Sequence, residues 1–174
     1  MKNKSQWYAL LTRSNFEQTV YTAICRKSID AFLPRTRKQS RRKDRKLMIE
    51  VPLFSGYVFV KSTPAPGDQL AILKTTGAVR LLGNAQGPVS VPDSQVDALK
   101  LLTSAGTDLI TGTTVKLSKG DPVMILQGPM AGLRGEFFQH KGRGRVIVKV
   151  DLLGQYAGVE VDLDNVEKIP GLLS

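Results

Sequence analysis

The sequence predicts two small domains, an α+β or α/β sandwich on an open, mostly antiparallel sheet, followed by a small all-β barrel. Three observations carry that expectation. Between residues 7 and 104 short apolar strands alternate with helical periodicities, the pattern of a layered sheet-and-helix domain. Residues 105–114 then form a Thr- and Gly-rich stretch with a single charge, which predicts a linker. From 115 to 174 no helical period appears, and short alternating strands are separated by Gly-marked turns, which suits a small closed barrel.

Trp7 to Leu11 is an aromatic and aliphatic run bounded by polar residues, as a buried strand requires. Ser14-Asn15-Phe16-Glu17 reads as a capping box, with the Ser14 hydroxyl accepting from the third helical N–H and the Glu17 carboxylate accepting from the Ser14 N–H. After it Phe16, Val20, Ala23 and Ile24 share one helical face, and Arg26 and Lys27 fall in the last turn, where cations suit the negative end of the helix dipole. Cys25 adjoins that face and reads as a small packing residue. Ala31 to Pro34 and Leu47 to Val51 predict two strands of a β-hairpin with a long charged tip, and Leu53 to Lys61 resumes the sheet until Pro64 to Gly67 break it. A short helix through Leu70, Ile72 and Leu73 follows, then a strand at Val79 to Leu82. A helix from Asp93 turns Val96, Leu99 and Leu102 inward and stops at Gly106. In the second half Val123 to Leu126, Arg145 to Val150 and Val159 to Leu163 predict strands.

The 174 residues carry a formal charge of +10, which points to a polyanionic partner. The excess is not spread evenly. Residues 1–34, 47–114 and 115–174 sum to +3, −1 and +1, while residues 35–46 alone carry +7. That run holds Arg35, Arg37, Lys38, Arg41, Arg42, Lys43, Arg45 and Lys46 and no apolar side chain, so it belongs in solvent or against a partner. Eight like charges so close repel one another, and a nucleic acid is the partner that would hold them together. No apolar run approaches the ~20 residues needed to span a bilayer, and the first residues carry no signal-peptide stretch. The expectation is a soluble, cytoplasmic protein without membrane contact. One cysteine and one histidine, Cys25 and His140, make neither an internal disulfide nor a His/Cys metal cage. Phosphate-loop, nucleophile-elbow and zinc-protease motifs are missing from the sequence. The expectation is therefore a protein that is not an enzyme and needs no cofactor or metal.

Four stretches, in order, resemble the NusG family of transcription elongation and antitermination factors, which joins an NGN domain to a KOW domain. Trp7-Tyr8-Ala9-Leu10 looks like the opening strand, with Phe16-Glu17 where the first helix begins. Leu53-Phe54-Ser55-Gly56-Tyr57-Val58-Phe59-Val60 looks like the central Phe-Pro-Gly-Tyr strand, with Ser55 in the usual proline position. Thr76 to Gly83 resembles the segment after the second helix, and Gly120 to Val123 through Gly128 to Glu136 resembles the KOW signature, with Val159 to Ile169 as its close. The resemblance implies an NGN domain over 1–104, a linker over 105–114 and an SH3-like KOW barrel over 115–174.

In that family the NGN domain holds the clamp helices of the largest RNA polymerase subunit against an apolar concavity. Carried over, Phe54 and Tyr57 are the expected contacts, with Trp7 and Tyr8 lining or supporting the surface; read on their own, Trp7 and Phe59 suit the core and Tyr57 the interface. The basic tip would lie near upstream or non-template DNA. The KOW domain of relatives recruits Rho or a small-subunit ribosomal protein, and the matching positions here are Met130, Leu152 and Leu153, each departing from the frequent Phe. The dense basic tip, Ser55 and the altered KOW positions resemble a specialised paralogue of the RfaH or UpxY kind. RfaH-like proteins can refold the KOW domain into a helical hairpin, but Val146, Ile147, Val148, Val150, Val159 and Val161 predict strands here. The family expectation is a monomer. A ribosome-associated or general RNA-binding KOW protein would also explain charge and barrel, but neither residues 7–104 nor the near-neutral second half.

Overall fold

The computed structural model describes residues 4–40, 47–106, 109–113, 120–140, 143–150, 153–161 and 165–169. Contacts divide the chain into two compact units, Met1–Val96 and Asp97–Ser174.

The first unit is built around β1 (Gln6–Thr12). Because this strand is central, with both faces covered, its sequence is a continuous apolar run rather than an alternation. It pairs antiparallel with β5 (Tyr57–Ser62) on one side and with β6 (Ala78–Leu81) and β9 (Ser90–Val91) on the other, while β2 (Ala31–Phe32) pairs with β5, giving the order β2-β5-β1-β6. One face carries Tyr8, Leu10, Val58 and Val60, which form a single core cluster with Val20 and Ile24 of α1 (Glu17–Arg26) and Ile72 of α2 (Pro66–Leu73). Pro66 in the first turn of α2 gives up an N–H that no helical carbonyl would have bonded. The Lys27 ammonium, just past α1, donates to the Ala71 carbonyl and the Thr75 hydroxyl at 2.8 Å each and ties the two helices together. The small hairpin β7 (Gly83–Asn84) and β8 (Gly87–Pro88) leads into β9; the division between the two units falls within α3 (Asp93–Ser104), whose Val96, Leu99 and Leu102 are fully buried, as its period predicts.

The start of α1 differs from the capping-box expectation. Phe16, not Ser14, is the N-cap, and no side chain bonds the helix end. A turn closed by the Phe16 N–H on the Arg13 carbonyl, with Asn15 at φ 63°, delays the helix until Glu17 and leaves that carboxylate free to reach elsewhere.

The predicted basic hairpin exists as a separate two-stranded ribbon, but its strands are shifted. The strand expected over Ala31 to Pro34 ends at Phe32, and the ribbon pairs β3 (Arg35–Gln39) with β4 (Met48–Pro52), from Arg35↔Pro52 to Gln39↔Met48. The first five residues of the charged run are thus strand, where Thr36 finds a buried position. Arg41, Arg42, Lys43, Arg45 and Lys46 lie outside the described residues.

In the second unit β10 (Ile110–Thr113), β11 (Pro122–Ile125), β12 (Arg134–His140), β13 (Arg143–Val150), β14 (Gln155–Val161) and β15 (Val166–Lys168) make one antiparallel sheet, ordered β10-β14-β13-β12-β11-β15. Val123, Ile125, Leu133, Val146 and Val159 are buried in it. Two expectations change. Residues 110–113, inside the expected linker, are a strand: β-branched Ile110 and Thr111 pair with Gly158 and Ala157. The expected closed barrel is not seen either, since among the described residues the ladder has edges at β10 and β15. Alternation reports that a strand is half buried; it carries no information on whether two sheet edges meet.

Candidate polymerase and nucleic-acid surfaces

The strand alternation that sends Tyr8 and Leu10 into the core cluster sends Trp7, Ala9 and Leu11 to the other face of the sheet. Register places Lys61, Phe59 and Tyr57 beside them. On this face Phe59 is fully buried and stacks with Phe32, ring centroids 6.1 Å apart, and the Lys61 ammonium lies 5.7 Å from the centroid of the buried Trp7 ring. Leu11 and Tyr57, directly opposite one another at the strand ends, remain half exposed, next to exposed Arg80 on β6.

The four residues expected to meet a polymerase therefore separate. Trp7, Tyr8 and Phe54 are 6%, 2% and 1% exposed and are core, and Tyr57 alone is open to solvent. Phe54 is a correction, because a side chain this buried supports a surface and cannot anchor a partner on it. Tyr8 lies on the helix-covered face and so does not line the surface either. Tyr57 owes its position to the turn before it. Gly56 sits at φ +84°, a region that favours glycine, its carbonyl accepts from the Thr12 N–H at 2.8 Å, and its own N–H donates to Glu17 Oε1 at 2.7 Å. Glu17 is 6% exposed and was missed as a site residue. Its signal in the sequence was faint: it is the only carboxylate among the first 29 residues.

The cations also separate. Arg35 is tied down at the base of the ribbon: its guanidinium donates to Gln18 Oε1, lies 3.6 Å from Glu50 Oε2, and covers the Tyr21 ring at 6.0 Å. Burial, then the neighbouring Cys25 through its charge and a hydrogen bond, raise the Tyr21 phenol above its ordinary pKa, with Arg35 opposing. Arg37 and Lys38, further along, are exposed.

In the second unit Met130 is 4% exposed and lines a cavity of about 190 Å³ with Ile125, Pro129, Val159 and Val161. Leu153 is half buried and does not line it, and Leu152 lies outside the described residues. Among the described residues no group of three or more His, Cys, Asp or Glu side chains could hold a metal ion, and no helix is long and apolar enough to cross a membrane.

A family model described as NusG, transcription termination factor nusG, matches residues 5–100. The chain belongs to the NusG family. The transcription termination/antitermination protein NusG of Staphylococcus aureus (strain Mu50 / ATCC 700699) is 27% identical over 176 residues, covering 94% of this chain and 96% of that protein. The same protein of strain N315 matches to the same extent. A solved structure, "Domain interaction in Thermotoga maritima NusG", superposes with a TM-score of 0.55 at 24% identity over 96% of this chain and 98% of its own, and so shares the fold. The mixed α/β architecture, with antiparallel sheets and three helices among the described residues, is that of a NusG protein, a transcription termination/antitermination factor.

Proposed function

We propose that this NusG-family chain is a non-catalytic, cytoplasmic regulator of transcription elongation and antitermination. It binds the clamp helices of the largest RNA polymerase subunit through the sheet face of its N-terminal domain. The observation that carries this reading is Tyr57, the half-exposed aromatic at the end of the face whose middle, Ala9 and Phe59, is buried, on a turn fixed by the Glu17 and Thr12 hydrogen bonds. A rigid aromatic on a pre-formed surface gives contact area at little entropic cost, which is the profile of an interface anchor. Leu11 and Arg80 flank it.

The domains are an NGN domain over 1–104 and a KOW domain over 115–174, and the KOW domain recruits Rho or a ribosomal protein beside the cavity that buried Met130 helps to line. The basic ribbon supports the complex on upstream or non-template DNA. Arg37 and Lys38 supply the phosphate contacts among the described residues, and Arg35 orients the ribbon instead.

Capture of RNA polymerase by the full chain tests the reading. Wild type should retain the polymerase, and Tyr57→Ala should lower capture at least tenfold, about 1.4 kcal/mol or more, as loss of an interface anchor does. Undiminished capture by a folded Tyr57→Ala variant would refute the assigned face, and no capture by wild type would refute the function.

A further inference from the structure

The ribbon carries an apolar ridge that phosphate contact does not use. On and beside β4, Leu47, Met48 and Ile49 are 59%, 55% and 39% exposed. Ile49 is the register partner of Lys38, and the Ser40 N–H donates to the Leu47 carbonyl at 2.8 Å, so pairing continues one residue past β4. Leu47 therefore follows Ile49 on the Lys38 face, about 6.7 Å along the strand. Met48 shares the opposite face with Arg37 and Glu50 by the same alternation. A single exposed aliphatic residue is ordinary; Leu47 and Ile49, neighbours on the face that also carries exposed Lys38, mark a contact surface, and Met48 adds apolar area on the other face.

Resting on the reading that this ribbon meets DNA, we propose that it recognises duplex DNA at an unstacked base step, Leu47 and Ile49 covering the exposed base faces while Lys38 beside them and Arg37 on the ribbon's other face hold the flanking phosphates. Two features choose this occupant. The +7 of residues 35–46 complements a polyanion rather than an apolar groove on a protein. The ridge is aliphatic, with no aromatic residue between 35 and 52. Binders of single strands rely on aromatic platforms on which bases stack, whereas Leu, Ile and Met are the wedges that enter opened steps of a duplex. An intact duplex must be unstacked at the expense of binding, and a mismatched one has already lost much of that stacking. The ridge should therefore make the protein selective for damaged stacking rather than for base sequence.

Fluorescence anisotropy of the full chain tests this with three labelled probes of one sequence: a paired duplex, the same duplex with a short central mismatched bubble, and the single strand. Wild type should bind the bubbled duplex on the order of tenfold more tightly than the paired one. Leu47→Ser with Ile49→Ser should erase that preference and leave the salt dependence unchanged. Arg37→Ser with Lys38→Ser should keep the preference, weaken binding to both duplexes and reduce the log–log salt slope by about 1.8. Equal binding of the two duplexes, tightest binding to the single strand, or a preference that survives loss of Leu47 and Ile49 would each overturn the proposal. Equal binding with the Arg37 and Lys38 salt dependence intact removes the wedge and leaves the DNA-contacting ribbon standing. No DNA binding by wild type removes both, and neither result touches the Tyr57 surface, which polymerase capture reads separately.

Discussion

Replacing Glu17 should loosen the turn that presents Tyr57 before it disturbs anything else. The carboxylate is 6% exposed and accepts the Gly56 N–H at 2.7 Å across 39 residues of chain. In Glu17→Ala that hydrogen bond to a charged group is lost and the Gly56 N–H is stranded, at a cost of about 1.5–3 kcal/mol. The acidic residue in the first turn of α1 is lost as well, about 0.3–1 kcal/mol more. The expected total is about 2–4 kcal/mol. Glu17→Gln keeps an oxygen acceptor of similar reach and should cost about 1 kcal/mol. Trp7 is the only tryptophan and is buried in the same sheet, so its fluorescence during urea unfolding reports this unit directly. Polymerase capture by folded Glu17→Ala should also fall, because Tyr57 keeps its chemistry but loses its fixed position. A Glu17→Ala variant within about 0.5 kcal/mol of wild type would refute the structural role of the bond.

Two further perturbations have definite signs. Gly56 and Gly77 both have positive φ, +84° and +93°, but an added Cβ at Gly56 meets only Leu11 Cδ1 at 3.9 Å, whereas at Gly77 it falls 2.6 Å from Phe16 Cδ1. Gly56→Ala should cost about 1–2 kcal/mol from backbone strain alone, and Gly77→Ala about 2–5 with the clash added, so a larger loss at Gly56 in urea unfolding would contradict the geometry. Tyr21 holds its proton more tightly in the folded chain than in the unfolded one, so its stabilisation is complete below about pH 10 and is lost as pH rises through the raised folded value. Tyr21→Phe should flatten that alkaline loss in a series of urea midpoints, and an unchanged alkaline slope would show that Tyr21 is not its source.

The sequence was most informative where burial is symmetric or periodic. Residues 7–10 of β1 and 58–60 of β5 are apolar on both faces because both faces are covered there, and α3 spaces Val96, Leu99 and Leu102 on one buried side. What it hid were pairings made at long range. Ser14-x-x-Glu17 has the spacing of a local capping box, yet Glu17 bonds Gly56, and only the fold brings that donor near. Arg35 looks like the other cations of its run, yet it contacts Gln18 and Glu50, and the local sequence does not register the first of these. Phe54 and Tyr57 flank one turn, three residues apart, and end on opposite sides of the line between core and surface. An aromatic beside a turn glycine carries no local mark of which way it points.

The second unit poses the sharper physical question, since the resemblance to RfaH-like proteins raises a helical alternative for the same residues. Every element described after α3 that is longer than a single turn is a strand. Gly135, Gly144 and Gly158 lie inside three consecutive strands, and each would cost a helix about 1 kcal/mol relative to Ala. Val146, Ile147, Val148, Val150, Val159 and Val161 would add up to about 0.5 kcal/mol each through lost side-chain rotation. The helical state thus starts roughly 3–6 kcal/mol behind an alanine-like sequence, a large share of the whole stability of many small domains. The glycines are not neutral in the sheet either. A Cβ on Gly135 would fall 2.4 Å from the Ile147 carbonyl oxygen, and one on Gly158 would fall 3.0 Å from that of Val146, so the strands approach closely only because those side chains are missing. The residues that penalise the helix are the ones the sheet needs, and the strand state is therefore the one this sequence encodes.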